Sequence, residues 1–421
     1  MKIAVIGAGV IGVTTAYELT LDGHEVSVFD RHGTAGEGAS FANGSLMVPG
    51  WPSSLGQEAR WPSLLAPGGS LPGALRLGSW PGPGTWGWLW RRQRALRSAE
   101  HQPRQAALFQ LARYSQERLA AITDEHQLRL DSSQGVLLLW RQERDATQAR
   151  AALATMREWG AVAREVDAAQ ARLIEPALNA ETSLHGALEL PAAQSTNTRQ
   201  FTLLLKNLAQ QRGCRFEFGR AVVQLRMAGQ GVQVVCDGSA DAQAFDHAVV
   251  CTGAASDALL RPLGLQLPLQ PVYGHSVSAA IREPLDAPLS AVIDARHQVS
   301  VTRLGQRVRV AGGRSLGGSP TQHSKRELER LYRVLMDWFP GAARLGGPRG
   351  SVQEWRGVQA CLPDGAPMLG ASPVQRVWLN LGHCSSGWSM ACGSARALAD
   401  QLQGRSPALD IAPFAPARWL R

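Results

Sequence analysis

The first thirty residues restrict the fold more than any other part of the chain. Lys2 to Ile6 is an apolar, β-branched run that breaks at Gly7-Ala8-Gly9-Val10-Ile11-Gly12. Val13 to Leu21 then has helical character, Gly23-His24 makes a turn, and Glu25 to Phe29 forms a second strand closed by Asp30. A GxGxxG pattern alone says little. Here it follows a strand, opens a helix and is followed 18 residues later by an acidic residue at the end of the next strand, which together describe a dinucleotide-binding βαβ unit. Gly7 permits the tight turn, Gly9 lets the backbone approach a pyrophosphate, and Gly12 lets helix and strand pack closely. The helix N-terminus offers N–H groups and partial positive charge to phosphates. Asp30 is placed to accept hydrogen bonds from a ribose, and Arg31 beside it is counted in the same site.

Composition excludes several alternatives. The chain has 421 residues, 44% apolar and 18% charged, and no low-complexity tract, so it is expected to fold throughout. A net charge of +9 would suit nucleic acid, anionic lipid or an acidic substrate. The excess is mostly arginine spread along the chain, and no nucleic-acid module is recognisable, so no nucleic-acid partner is expected. The six cysteines, at 214, 236, 251, 361, 384 and 392, show no CxxC spacing. A metal site, a thioredoxin-like motif and a disulfide framework are therefore not expected, and the cysteine usage points to a reducing compartment. The N-terminus lacks a cleavage signature and no run is long enough to span a bilayer. The expected location is the cytoplasm, with peripheral contact at the inner face of the membrane still open.

Further along, residues 49–90 are rich in Pro, Gly and Trp (Trp51, Trp61, Trp80, Trp86, Trp88 and Trp90), with Arg91, Arg92, Arg94 and Arg97 directly after. Few helix or strand periods survive there. The stretch reads as a structured excursion, either an interfacial element near a quinone or, the preferred reading, packing within a substrate domain. Helices are expected at about Gln105–His126, Ala146–Trp159, 198–211 and 324–339, and Asp167 has the position of an N-cap. Strands are expected at 186–190, 215–219, 233–236, 247–251 and 377–380. Residues 268–313 alternate as an antiparallel sheet, and a turn at 382–387 leads into a helix ending near Gln403. Parallel βαβ elements at both ends around an antiparallel middle imply a mixed α/β protein: a discontinuous Rossmann-like domain with a second domain inserted.

Five stretches resemble the D-amino-acid oxidase-like flavoprotein superfamily, and within it the bacterial D-amino acid dehydrogenase small-subunit group. They are MKIAVIGAGVIGVTTAYEL with Gly23-His24-Glu25-Val26; Ala39-Ser40-Phe41-Ala42-Asn43-Gly44; Glu175-Pro176-Ala177-Leu178; Val250-Cys251-Thr252-Gly253-Ala254; and WLNLGHCSSGWSMACGSA at 378–395. The resemblance implies FAD, held by residues 1–48, 170–262 and 350–421, with 49–169 and 263–349 forming the antiparallel-sheet substrate domain. It implies contacts to the flavin side from Ser40, Ala42, Asn43, Gly44, Gly382, His383, Ser386, Gly387 and Trp388, and to the rest of the cofactor from Val222, Thr252 and Gly253. No second GxGxxG unit is present, so electrons are expected to leave to oxygen or a quinone rather than to NAD(P).

The resemblance also implies the reaction: hydride transfer from a carbon bearing an amine to flavin N5, giving an imine that hydrolyses to a keto acid and ammonia. Its substrate arginine sits in a segment like GLRPxTPDGxP. Here Gly357-Val358-Gln359-Ala360-Cys361-Leu362-Pro363-Asp364-Gly365 keeps the scaffold, but Gln359 stands where the arginine should be. A neutral amide cannot supply the charge-assisted pair. Either another cation replaces it, with Arg356 the nearest candidate, or the substrate lacks a free α-carboxylate. Tyr273 and His275 are further candidates for the pocket, as is His383 for flavin or substrate. Cys384 replaces a glycine common in the family and raises the question of covalent flavin attachment. Leu46-Met47-Val48, where relatives are more polar, points to an apolar substrate: an amine, imine or modified amino acid rather than a plain D-amino acid. Two other readings stay open, an oxygen-using tailoring enzyme and a flavin-binding scaffold that has lost catalysis. The oligomeric state is not legible.

Overall fold

The computed structural model describes residues 1–49, 70–71, 75–77, 82–238, 241–317, 322–347 and 351–420. Lys2–Ile6 is the middle of a six-stranded sheet in the order Met368–Ala371, Val377–Leu381, His247–Val250, Lys2–Ile6, Glu25–Asp30, Arg215–Phe218. All neighbours are parallel except the antiparallel edge strand Met368–Ala371. The sheet is apolar on both faces because both are covered. Ile3 and Val5 face the helices Val10–Leu21, Thr198–Gln211 and Gly387–Leu402. Ala4 and Ile6 face a small antiparallel sheet of Val222–Ala228, Gly231–Cys236 and Ala242–Phe245. The period-2 alternation of one strand thus divides the core in two.

The helix face carries an unusual charge. Glu18 of the Val10–Leu21 helix is fully buried. It accepts from Arg118 at 2.6 Å and from Arg396 at 2.9 Å, so one carboxylate ties together three helices: its own, His101–Glu125 and Gly387–Leu402.

A larger sheet is built on the path Val352–Cys361, Gln270–Ala280, Arg307–Leu316, Val299–Leu304, Ala291–Asp294, Ser132–Trp140, Gly186–Thr196, Leu46–Met47. Three of these strands, Leu46–Met47, Gly186–Thr196 and Val352–Cys361, lie in segments that the sequence allots to the cofactor side. The Lys325–Trp338 helix closes one face with Leu328, Leu331, Val334, Leu335 and Trp338, spaced at helical period. Among the described residues no helix is long and apolar enough to cross a membrane.

Most expected elements form within a few residues of their expected ends, and Asp167 caps its helix by accepting from the Gln170 amide at 2.8 Å. Three expectations need correction. The strand from Gly186 runs on to Thr196, because its second half pairs with Leu46–Met47 and with Ser132–Gln134. The segment expected to lack helical period is helical over Pro83–Leu96. Pro83 opens that helix, where its missing N–H costs nothing, and burial of Trp88 and Leu89 against Val272, Leu316 and Cys361 overrides the helix-weakening Gly84 and Gly87. Trp51, Trp61 and Trp80 lie outside the described residues. Finally, Cys361 and Cys384 form a disulfide, which their spacing of 23 residues did not announce.

Candidate active site

A cavity of about 310 Å³ lies where the two sheets meet. Three groups of residues wall it: Val10 and Ile11 at the start of the first helix, the 39–48 loop, and the 382–388 turn. The large sheet supplies the remaining wall through Ser300, Arg314, Trp355 and Gln359. Of the residues singled out from the sequence, Val10, Ile11, Ser40, Ala42, Asn43, Gly44, Gly253, His275, Gln359, Gly382, His383, Ser386, Gly387 and Trp388 line this one space.

The glycine-rich turn behaves as its spacing requires. Gly7 has φ +104°, and a Cβ there would lie 2.7 Å from the Cys251 carbonyl. A Cβ on Gly12 would lie 1.8 Å from the Gly7 carbonyl. Gly9 begins the helix as its N-cap. Ala8 donates to the Asp30 carboxylate at 2.6 Å, and the His32 amide donates to its other oxygen at 2.8 Å, so Asp30 braces the turn from the end of the second strand. Arg31 is exposed beside it. Arg220 donates its amide to the Asp30 carbonyl at 2.9 Å, which brings the start of the strand at Val222 near the same end of the sheet. The Thr252 and Ser256 hydroxyls bond each other at 2.9 Å. Gly7, Ala8, Gly9, Gly12, Asp30, Arg31, Val222 and Thr252 do not line the cavity.

The residues present fit a flavin dinucleotide. A side chain on any of the turn glycines at 7 or 12 would obstruct the backbone, and the N-terminus of a twelve-residue helix faces the same space. On the cavity wall, the buried atoms Gln359 Oε1, Asn380 Oδ1 and Trp388 Nε1 have no hydrogen-bond partner within the protein. Two acceptors and a donor on different sides of the cavity are thus left without a protein partner. The 39–48 loop that closes the cavity is anchored at several points. Ser40 Oγ accepts from the Val10 amide at 3.0 Å, Ala42 O accepts from Ser276 at 2.6 Å, and buried Arg309 donates to Asn43 O at 3.2 Å.

Both cavity histidines are neutral and committed. Complete burial pushes the His383 imidazole down to about 3. Ser394 gives its hydroxyl proton to the Met390 carbonyl at 2.8 Å, so His383 Nε2–H donates to Ser394 Oγ at 3.1 Å. His275, lowered mainly by burial, accepts from the Ser324 amide at Nε2 and donates from Nδ1 to the Gly313 carbonyl, each at 3.2 Å. Neither ring nitrogen of His275 is left for a substrate.

The expected replacement for the missing arginine is corrected. The Arg356 guanidinium stacks 3.8 Å from the Tyr273 ring centre, and neither residue lines the cavity, whereas Trp355, Gly357, Val358, Gln359 and Ala360 of the same strand do. Among the described residues the cation on the wall is Arg314, which sequence reasoning missed. The Gln270–Ala280 and Arg307–Leu316 ladder slips between Tyr273 and His275, and Gly313, at φ +67°, takes the irregular position just before Arg314. Desolvation lowers the Arg314 guanidinium to about 10, still charged at neutral pH. Leu46 and Val48 line the cavity, but Met47 between them is buried in the helix-side core. Trp355 lies across Gly357, where a Cβ would meet the indole at 1.9 Å.

Cys384 also lines the cavity, with its sulfur bonded to Cys361 and so not available for attachment to a flavin in this state.

The model of a family described as FAD dependent oxidoreductase matches residues 2–401. The chain is 33% identical to a D-amino acid dehydrogenase of Methylobacterium sp. (strain 4-46) over the full length of both proteins. It is 34% identical to a D-amino acid dehydrogenase of Cereibacter sphaeroides (strain ATCC 17029 / ATH 2.4.9), covering all of this chain and 96% of the relative. Among solved structures, glycine oxidase from Geobacillus kaustophilus shares the fold with a TM-score of 0.77 at 20% identity, covering 100% of this chain and 99% of the other. L-proline dehydrogenase from P. horikoshii does so with a TM-score of 0.73 at 16% identity, covering 100% and 99%.

Proposed function

This chain belongs to the FAD dependent oxidoreductase family, and we propose that it oxidises the C–N bond of an amino acid or related amine, giving an imine that hydrolyses to a keto acid and ammonia. Its full-length D-amino acid dehydrogenase relatives support that reading. The observation that carries it is the meeting, in one cavity, of the helix N-terminus, the 382–388 turn and the cation Arg314.

When bound, FAD supplies the two-electron acceptor. The protein's own part is positioning and water exclusion. The glycine-rich turn and the Val10–Leu21 helix hold the pyrophosphate, Asp30 and the Val222 segment hold the adenosine side, and the 39–44 loop with Gly382, Ser386, Gly387 and Trp388 holds the ring side. Arg314 takes over the carboxylate role that Gln359 cannot fill; a guanidinium suits a carboxylate geometrically as well as by charge. The unsatisfied Gln359 Oε1 is an acceptor for a substrate N–H. Leu46, Val48 and Trp355 receive the substrate's apolar part. His383 orients without exchanging protons, and the neutral amine must arrive as such. Residues 1–48, 170–262 and 350–421 serve mainly the cofactor in this reading, and 49–169 and 263–349 the substrate. Oxygen or a quinone takes the electrons.

The test is anaerobic mixing of flavin-loaded protein with D- and L-amino acids, their N-methylated forms and simple amines. Bleaching by a carboxylate-bearing amine is expected and would exclude the scaffold reading; a flavin that none of them bleaches would overturn the proposal. Air or quinone is then admitted to identify the acceptor.

A further inference from the structure

Four of the six cysteines are buried thiols: Cys214, Cys236, Cys251 and Cys392. Burial holds all of them above the usual thiol range, Cys214 and Cys251 at about 12, so they are unreactive. Cys361 and Cys384 differ in both state and place. They are bonded to each other, and Cys384 forms part of the cavity wall in the turn that carries Gly382, His383 and Ser386. Cys361 is fully buried two residues after Gln359.

Two details separate this bond from a staple. First, its two segments are already joined without it. Cys361 and His383 form an antiparallel backbone bridge, and Trp88 Nε1 donates to the Cys361 carbonyl at 3.1 Å. Opening the sulfur–sulfur bond would therefore leave both residues in place. Second, Cys384 has φ +52°, in the left-handed region where glycine is the unstrained residue. A side chain kept at such a position beside a functional cavity is a cost that a function can explain.

We propose that Cys361–Cys384 is a second two-electron centre, in redox exchange with the flavin held in the same cavity. The disulfide takes up an electron pair and two protons from the reduced cofactor. The Sγ–Sγ bond breaks, two thiols form, and the cofactor returns to its oxidised form. The reverse exchange re-forms the disulfide. The enzyme thus stores four electrons rather than two. The proposal rests on FAD binding and not on the identity of the organic substrate.

The experiment is an anaerobic dithionite titration of the FAD-loaded protein, followed by alkylation and mass mapping of cysteines. Dithionite needs no organic substrate, so a failure of the amine reading does not disturb it. Full reduction is expected to take four electrons per flavin, with Cys361 and Cys384 becoming alkylated. Flavin bleached by a substoichiometric pulse should regain its colour without oxidant as the thiols appear. Cys361→Ser and Cys384→Gly should each return the requirement to two electrons and abolish the recovery of colour. A wild-type enzyme that is fully reduced by two electrons, with both cysteines protected from alkylation, would overturn the proposal without recourse to any variant.

Discussion

Arg309, on a central strand of the large sheet, donates to the carbonyl of Asn43 at 3.2 Å, and so fixes the loop that closes the cavity. The same guanidinium bonds Ser45 Oγ at 3.2 Å and Ser278 Oγ at 2.9 Å, with burial lowering it to about 10. Hydrogen bonds to a charged group contribute about 1.5–3 kcal/mol each. Arg309→Met is expected to weaken FAD retention by about tenfold or more, measured by recovery of flavin fluorescence on dilution. Unchanged retention would mean that the loop holds its position without Arg309.

Arg314→Met should raise KM for a carboxylate-bearing substrate by roughly 30- to 100-fold, the equivalent of about 2–3 kcal/mol for a lost charged pair. Oxidation of an amine with no carboxylate should be nearly unaffected. Steady-state kinetics on such a pair of substrates decides it; equal losses on both would refute carboxylate recognition by Arg314.

Gly357→Ala places a methyl group within 1.9 Å of the Trp355 ring carbon Cη2, so the indole must leave its place on the cavity wall. We expect kcat/KM to fall about tenfold or more, while the flavin spectrum stays unchanged. A fall in flavin content instead would place Trp355 on the cofactor side.

Glu18→Gln removes the buried charge that joins three helices and leaves Arg118 and Arg396 short of a partner. Breaking a buried pair in this way costs about 3–5 kcal/mol. A lower urea midpoint, followed by circular dichroism, is the expected outcome.

The His383 ring predicts a pH effect on stability. Its folded pKa, about 3, lies below the ordinary 6.5. Its contribution is therefore complete above pH 6.5 and declines as pH falls from there toward 3, because the unfolded chain binds the proton first. His383→Asn should flatten the acid side of the stability curve between pH 6.5 and 4.5. An unchanged slope in thermal melts across that window would exclude the ring as its source.

The parts of this molecule that were legible in the sequence are those governed by local periodicity. Lys2–Ile6, the glycine turn and Asp30 formed as read because turn, helix start and strand end are all set within a few residues. His383 and the 382–388 turn reached the cavity for the same reason. Arg314 was not legible. Counting alternate residues along Arg307–Leu316 fails at the slip beside Gly313, and the pair Gly312-Gly313 is the one local mark of it. The Cys361–Cys384 bond was hidden for a different reason: it depends on a strand of one sheet meeting a turn that leaves the other. Arg356 misled because its guanidinium stacks on Tyr273 and does not line the cavity, a contact that nearness in sequence to Gln359 does not reveal.

His275 accepts from the amide of Ser324, the N-cap of the Lys325–Trp338 helix, and donates to Gly313, the residue before Arg314. A rigid ring therefore couples the outer layer of the protein to the orientation of a cation deep inside it. Substitutions at 322–327, which line no part of the cavity, would act as a tuning screw on substrate preference.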